Sequence, residues 1–253
     1  MARPVYKIIT AAILIFVLNG CWMPDQFKSE LRISKTGDFI LTYEGDLVWA
    51  PLYAQILEGE KNQSKRLSQT EIDKKINDAQ RDLIRDWDCS TGKEYPGKDC
   101  SLEWQKYPPG TDFSSIPTAG YSDIRNLGKG RFFVKYERRD RLAPVALATF
   151  VRRNNVIISV KGIAADDGSG NHLIEIRGAL IRSGDAQRMI DTGMSMQGEF
   201  RVTTDARVAV KDGRVMQNAT LVKKYGDYTS FIWVIDGPFS RSPYILLERE
   251  DRF

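Results

Sequence analysis

The sequence predicts an α+β domain, with a mainly antiparallel β-sheet and one long amphipathic helix. Most of the chain after residue 130 alternates apolar and polar residues, which is typical of strands with one buried face. A single stretch, from Ser68 to about Trp87, repeats its apolar residues at helical intervals instead. With 253 residues, of which 42% are hydrophobic, the chain is long and apolar enough to bury a core of its own.

The first two strands are expected to form a hairpin after a short leash. Apolar and charged residues alternate from 27 to 33, turn-forming residues follow at 35–38, and the alternation resumes at Phe39. Residues 21–26, which include Pro24, are the expected leash.

Two helical segments follow the hairpin. The stretch from Trp49 to Gly59 is ambiguous, because Pro51 could open a short helix that Gly59 ends. Ser68 and Glu71 have the spacing of a capping box and mark the start of the long helix. Its apolar positions are Ile72, Ile76, Ala79, Leu83 and Trp87.

A loop and a run of strands complete the body. Residues 89–128 are rich in Pro, Gly and Ser and predict a long structured loop. Turn residues at 168–171 and at Asp212 and Gly213 join neighbouring strands, and a short helix is expected at 185–191. The predicted strands are 131–137, 156–163, 173–180, 199–204, 207–211 and 229–235.

The first 20 residues are predicted to be a secretory signal peptide that is cleaved. Arg3 and Lys7 are its only charged side chains, and an apolar run from 8 to 18 follows them. This run is too short to cross a hydrocarbon core of roughly 30 Å as a helix.

The signal ends in Leu18, Asn19, Gly20 and Cys21, which resembles the lipobox of bacterial lipoproteins. The resemblance implies that Cys21 receives a diacylglycerol, that residues 1–20 are removed, and that the new amine is acylated. Several acyl chains, at about 0.8 kcal/mol for each buried methylene, would form a durable membrane tether. The alternatives are a transmembrane anchor, or an ordinary signal in which Cys21 is incidental.

Two further features bear on the compartment. Trp22 follows Cys21 where an Asp is the familiar inner-membrane retention signal, so the lipobox resemblance favours the outer membrane with the body facing the periplasm. The run from Gly198 to Val210, followed by Trp233 and Pro243, is similar to the C-terminal halves of uncharacterised proteobacterial lipoproteins. That resemblance supports the envelope assignment and implies no mechanism.

Cys89 and Cys100 remain as a pair if Cys21 carries lipid. In an oxidising compartment such a pair forms a disulfide, and the turn-rich residues between them would let the sulfurs meet. A metal site with two Cys ligands would need further ligands nearby, but the one His of the chain, His172, is far away in sequence. We therefore predict a disulfide and no metal or other cofactor.

No recognisable catalytic constellation accompanies the other reactive side chains. His172 opens a strand without a nucleophile motif, which favours a structural role. The oxygen-rich residues 166–171 lack the ligand pattern of a calcium loop and are interpreted as a hairpin turn. Asp86, Asp88 and Glu94 are the carboxylates that an envelope glycan hydrolase would use, since it needs two across a cleft.

The charge balance argues against nucleic acid as a partner. The net charge is +4, from 37 basic and 33 acidic residues, and the signal holds two of the basic ones. Seven basic residues between Arg131 and Arg153 either contact anionic headgroups or, as the pattern favours, form a solvated strand face. Apolar strand residues are interpreted as core, although a sheet curved around the helix could hold an apolar ligand. These residues are Phe132, Val134, Tyr136, Phe200, Phe231 and Trp233.

Together these observations predict a lipid-anchored envelope lipoprotein whose body, residues 27–253, is a single binding or scaffolding module and not an enzyme. Its partners would be the membrane, through the acyl chains, and an envelope protein or an apolar ligand. A carrier of a lipid or other apolar ligand between sheet and helix is the first alternative, and an envelope glycan hydrolase is the second.

Overall fold

The structure is a computed structural model that describes residues 22–90, 121–142, 147–151, 154–165, 172–178, 187, 190–191, 193–238 and 240–250. Its strands are β1 (Trp22–Ile33), β2 (Asp38–Trp49), β3 (Tyr121–Gly128), β4 (Arg131–Arg141), β5 (Leu147–Val151), β6 (Asn154–Ala164), β7 (His172–Arg177), β8 (Gln197–Thr204), β9 (Val210–Lys211), β10 (Arg214–Val215), β11 (Leu221–Tyr225), β12 (Tyr228–Asp236) and β13 (Tyr244–Arg249). Helices α1 (Ala50–Lys61) and α2 (Gln69–Ser90) lie between β2 and β3, and a 3-10 turn at Gln63–Lys65 separates them. The predicted mixed α+β class is confirmed.

The described strands form a seven-stranded sheet, a four-stranded sheet and a small hairpin. The large sheet has the order β11-β12-β8-β1-β2-β4-β3, the second has the order β13-β7-β6-β5, and β9 pairs with β10. Neighbouring strands are antiparallel except for β1 and β8, which are parallel. The connection permits the exception, because the chain passes through β5, β6 and β7 of the second sheet before it reaches β8, whereas a hairpin can join only antiparallel neighbours.

The predicted first hairpin is present, but it begins earlier than the sequence suggests. Trp22 pairs with Trp49 across β1 and β2, and its ring packs edge-on against Phe132 with 5.5 Å between centroids. The expectation of a leash at residues 21–26 is therefore wrong for residues 22–26, because burial of this ring keeps them in the sheet. Cys21 lies outside the described residues.

Phe27 is held between two glycines where the β1–β2 ladder bulges. A Cβ on Gly45 would lie 2.5 Å from the Cα of Phe27, and a Cβ on Gly198 would lie 2.4 Å from its Cδ1. The ring stacks on Tyr43 with 5.7 Å between centroids. Only glycine permits approaches this close, so the three central strands β2, β1 and β8 are locked around one aromatic ring.

Helix α1 confirms one reading of the ambiguous segment. Pro51 lies in its first turn, as the sequence predicts, but Gly59 does not end it and the helix continues to Lys61. Gly59 instead allows close packing, since a Cβ there would lie 2.9 Å from the Cα of Arg66.

The predicted capping box opens α2. The amide N–H of Ser68 donates to Glu71 Oε2 at 2.8 Å, and the amide N–H of Glu71 donates to Ser68 Oγ at 3.3 Å. The backbone and hydroxyl hydrogen bonds from Ser68 lower the pKa of Glu71. Ile76, Ala79 and Leu83 are buried on one face of the helix.

The hydrophobic core lies between the inner face of the large sheet, the second sheet and α2. Leu31 from β1, Ile174 from β7 and Leu83 from α2 belong to it, and all three are fully buried. Phe200 stacks on Trp233 with 5.5 Å between ring centroids. Every apolar strand residue singled out in the sequence belongs to this core, namely Phe132, Val134, Tyr136, Phe200, Phe231 and Trp233.

Several predicted boundaries differ from the structure. The loop expected at 89–128 is wrong at both ends, because α2 runs to Ser90 and residues 121–128 form β3. The strand expected at 173–180 is β7, which ends at Arg177, and the next residue, Gly178, packs against Pro243. Between 207 and 211 only two residues are in a strand.

The predicted turn at Asp212 and Gly213 is confirmed. Both residues have positive φ, 51° and 72°, and the turn joins β9 to β10. Residues 187, 190 and 191 are helical, within the short helix expected at 185–191. Among the described residues, no helix combines the length and the apolarity needed to cross a bilayer.

Candidate functional site

Four polar side chains meet at the N-terminal end of β1. Arg131 Nη2 donates to Asp25 Oδ2 at 2.8 Å and to Asp46 Oδ2 at 3.0 Å. Ser195 Oγ donates to the other oxygen of Asp25, whose side chain is only 2% exposed. We call Asp25, Asp46, Arg131 and Ser195 the N-terminal polar cluster. It joins β1, β2, β4 and the segment before β8. Asp25 lies in β1, three residues after Trp22.

The electrostatics of this cluster favour its charged form. Burial alone lowers the pKa of Arg131, but its hydrogen bond to Asp46 and the charges of Asp25 and Asp46 outweigh burial and raise it. A cation between two carboxylates leaves neither acid without a counter-charge, which is the condition under which buried charges persist. The cluster therefore links β1, β2 and β4 at this end of the sheet.

A small apolar cluster lies at the same end of the body, separate from the main core. It is buried and consists of Met23, Val48, Ala50, Tyr53, Met194 and Met196. Leu57 packs against it from α1. The apolar and polar clusters together hold the first residues of β1 against the neighbouring strands.

A cleft of about 1090 Å³ opens at the opposite end of the structure. β7, β13 and the segment between β8 and β11 line it, and His172 lies on its wall. Its basic side chains are Lys35, Arg177, Arg207, Lys211 and Arg249, and its acidic ones are Glu175, Asp205, Asp227, Glu248 and Glu250. Since the two signs balance, the cleft as a whole has no preference for an anion or a cation.

Internal contacts engage part of the polar lining of this cleft. Arg177 pairs with Glu175 at 2.7 Å, and Lys35 pairs with Glu250 at 2.7 Å. The described lining contains no Ser, Thr or Cys, and its one side-chain hydroxyl is the phenol of Tyr244.

Four of the basic residues between 131 and 153, Arg141 among them, pair with acids. Arg131 belongs to the polar cluster, Lys135 pairs with Glu44 at 3.2 Å, and Arg139 pairs with Glu137 at 2.7 Å. Such pairs along an exposed strand neutralise one another, which agrees with a solvated face rather than an anion site.

Most of the sequence-predicted site residues fall outside the described part of the chain. These residues include Leu18, Asn19, Gly20, Cys21, Glu94, Cys100 and residues 166–171. Asp86, Asp88 and Cys89 lie within α2. His172 is the first residue of β7, as predicted. Among the described residues, no group of three His, Cys, Asp or Glu side chains could hold a metal ion.

The N-terminal polar cluster was not predicted from the sequence. Asp25 and Arg131 are 106 residues apart, and Asp25 and Ser195 are 170 apart. Asp25 lies in a segment that was interpreted as a leash, where an acidic side chain is expected to be solvated. The only pattern that could have predicted its burial is the apolar pair Trp22 and Met23, two residues before it.

Comparisons with known proteins add little to this description. No protein-family model matches the chain, and no curated protein is significantly similar to it. Among solved structures, the NMR structure of the folded domain of LppM from Mycobacterium tuberculosis matches with a TM-score of 0.34 and 11% identity, over 91% of this chain and 92% of that one. At this TM-score the match establishes neither a shared fold nor a shared role.

Proposed function

We propose that this protein is a bacterial lipoprotein, anchored through acyl chains on Cys21, whose body is a binding or scaffolding module of the cell envelope. The observation that carries the proposal is the lipobox-like sequence from Leu18 to Cys21 placed directly before Trp22, the buried first residue of β1. Acylated Cys21 would then be followed by folded structure with no leash between them.

The geometry supports a body that binds at the end away from the membrane. β1 has 12 residues, and at about 3.3 Å per residue it carries the chain roughly 36 Å from Trp22 to Ile33. Lys35 and Asp205 line the large cleft, and they come just after the far ends of β1 and β8. The cleft would therefore face away from the bilayer, where a partner could reach it.

The proposed location is the outer membrane, with the body facing the periplasm. Trp22 stands at the position where an Asp would favour retention in the inner membrane. Its side chain packs against Trp49 and Phe132. A role in the core of the body explains why an aromatic residue stands there.

Metabolic labelling with a palmitate analogue tests the anchor. The wild-type protein and a matched Cys89→Ser variant should both incorporate the label, whereas Cys21→Ser should incorporate none. Label that persists in Cys21→Ser would contradict the attachment site. Failure of all three proteins to incorporate label, while a known lipoprotein in the same cells does, would refute lipidation itself.

We also propose that Cys89 and Cys100 form a disulfide, which follows from the envelope location. The native protein should gain 2 Da on reduction, and its thiols should resist alkylation beforehand. Two thiols that react freely in the native protein would contradict this pairing. An increase in sensitivity to urea after reduction is expected as well, because the bridge restricts the unfolded chain.

A further inference from the structure

The free edge of the large sheet is an exposed strand. β11 is the last strand in the sheet order, and within the described residues it pairs with β12 alone. All five of its residues, Leu221–Tyr225, are exposed. Such an edge offers backbone donors and acceptors to another extended chain.

The ladder geometry indicates which backbone groups are available. Gly226 and Asp227 form a two-residue turn closed by the pair Tyr225 and Tyr228, and such a closing pair exchanges both of its hydrogen bonds. Because bonded and non-bonded pairs alternate along an antiparallel ladder, the N–H and C=O groups of Val222 and Lys224 point away from β12.

A groove of about 530 Å³ runs beside this edge, with a mixed lining in which Arg207 and Lys224 balance the charges of Asp205 and Asp227. Val222 pairs with Phe231, which belongs to the core, so the core face of the sheet continues onto β11. There it is uncovered, since Val222 is 43% exposed and Val215, across the groove on the β9–β10 hairpin, is 58% exposed. Side chains of an added strand that point to this face would be buried against these valines.

The charge of this region selects the sign of the occupant. Between Arg207 and Tyr228 there are five basic residues and two acidic ones. The remaining residues from 21 onward hold 30 basic and 31 acidic residues, so the positive surplus of the body is concentrated here. Lys223 and Lys224 lie on the edge strand itself, one on each face. An acidic segment would gain attraction on approach.

The same lysines disfavour pairing of β11 with a second copy of itself. A two-fold antiparallel pair centred on the strand would place Lys223 opposite Lys223, and like charges directly opposite one another are destabilising. The membrane is also an unfavourable occupant, because the register places β11 level with residues 30–33 of β1, far from Trp22.

We propose that β11 binds an extended, acidic segment of another envelope protein as an additional strand of the large sheet. This inference rests on the proposed role as a binding module and names the surface and the chemistry of the partner. Apolar side chains of the segment would lie in the groove against Val215 and Val222, while alternate acidic side chains would face Lys223.

The test uses the purified mature protein in a non-ionic detergent and a fluorescent octapeptide of alternating Val and Glu. We expect saturable binding by fluorescence anisotropy, weakened by salt, and slower amide exchange at Val222 and Lys224. A peptide of alternating Val and Lys should bind at least about tenfold more weakly. Equal binding of both peptides, or no binding with both amides unprotected, would overturn the proposal.

Variants locate the binding. Lys223→Glu with Lys224→Glu should weaken binding of the acidic peptide at least about tenfold. Lys61→Glu with Lys74→Glu, on exposed helical positions, makes the same change in net charge and should leave binding unchanged. Val222→Pro removes an outward N–H but no ladder bond to β12, so it should abolish binding while the circular dichroism spectrum is preserved.

Other occupants are distinguished in the same experiments. Slower amide exchange at Val222 and Lys224 with phosphatidylglycerol vesicles and no peptide would show that the edge binds a membrane. Slower exchange that follows self-association at rising protein concentration would show that it binds a second copy. Either result would refute this inference. If the protein is labelled at Cys21 but does not bind the peptide, the inference about β11 is refuted and the proposed anchor stands. The two failures are therefore distinguishable.

Discussion

Replacing Arg131 with Met should destabilise the protein strongly, because it removes the only cation of the N-terminal polar cluster. Asp25 would remain buried with no counter-charge, and Asp46 would face it. Breaking a buried ion pair by removing one partner costs about 3–5 kcal/mol. Since 24% of the Arg131 side chain is exposed, water screens part of this loss, and we expect about 3 kcal/mol, the lower end of that range.

The same strand provides a matched control. Arg139 pairs with Glu137 on the outer face of β4, and its side chain is 72% exposed. Arg139→Met therefore removes an equivalent side chain from a solvated ion pair and should change the free energy of unfolding by less than about 0.5 kcal/mol. Urea unfolding followed by tryptophan fluorescence measures both variants.

A double-mutant cycle separates the charge from the packing. Asp25→Asn alone leaves Arg131 paired with Asp46. In the double variant with Arg131→Met, the Asp25 carboxylate that would have lacked a counter-charge is absent. The double variant should therefore be more stable than the sum of the two single effects predicts. If Arg131→Met were no more destabilising than Arg139→Met, or if the cycle showed strict additivity, the reasoning about the buried pair would be wrong.

Two further predictions concern local packing. Gly198→Ala should cost at least about 2 kcal/mol, because its Cβ would collide with Phe27, whereas Gly237→Ala, whose Cβ would meet nothing closer than 3.9 Å, should cost less than about 0.5 kcal/mol. Comparable urea midpoints for the two variants would refute this. Ser68→Ala should cost about 1 kcal/mol at neutral pH through loss of the N-cap. Because the folded pKa of Glu71 lies below its ordinary value of 4.5, the carboxylate bonds stabilise the fold above that pH and are lost as the pH falls, so the difference from wild type should narrow in acid and should not widen.

The elements predicted most accurately are those whose signal is local. The capping box of Ser68 and Glu71 and the Asp212 and Gly213 turn depend on bonds and dihedral angles within four residues, and both are present as predicted. The prediction that Gly59 ends α1 was wrong. A glycine is needed there because a side chain would collide with the backbone of Arg66, which lies outside the helix.

Prediction failed where distant segments decide the outcome. Residues 22–26 look like a leash by themselves, yet partners on β2 and β4 hold them in a strand. The parallel pairing of β1 with β8 and the meeting of Asp25 with Ser195 have no counterpart in local pattern. The contacts of β1 with β4 and β8 join residues more than one hundred positions apart, and their energies depend on the assembled core.

The sequence by itself determined the mixed class, the first hairpin, the capped start of α2 and the apolar strand residues of the core singled out above, because each follows from periodicity or from a turn that needs only its neighbours. Only the tertiary structure decided that residues 22–26 belong to the sheet, that Arg131 joins Asp25 and Asp46 at that end, and that β11 pairs with β12 alone among the described residues. Those features arise when strands far apart in the chain are brought side by side, since burial and Coulomb attraction depend on distance in space and not on separation in sequence.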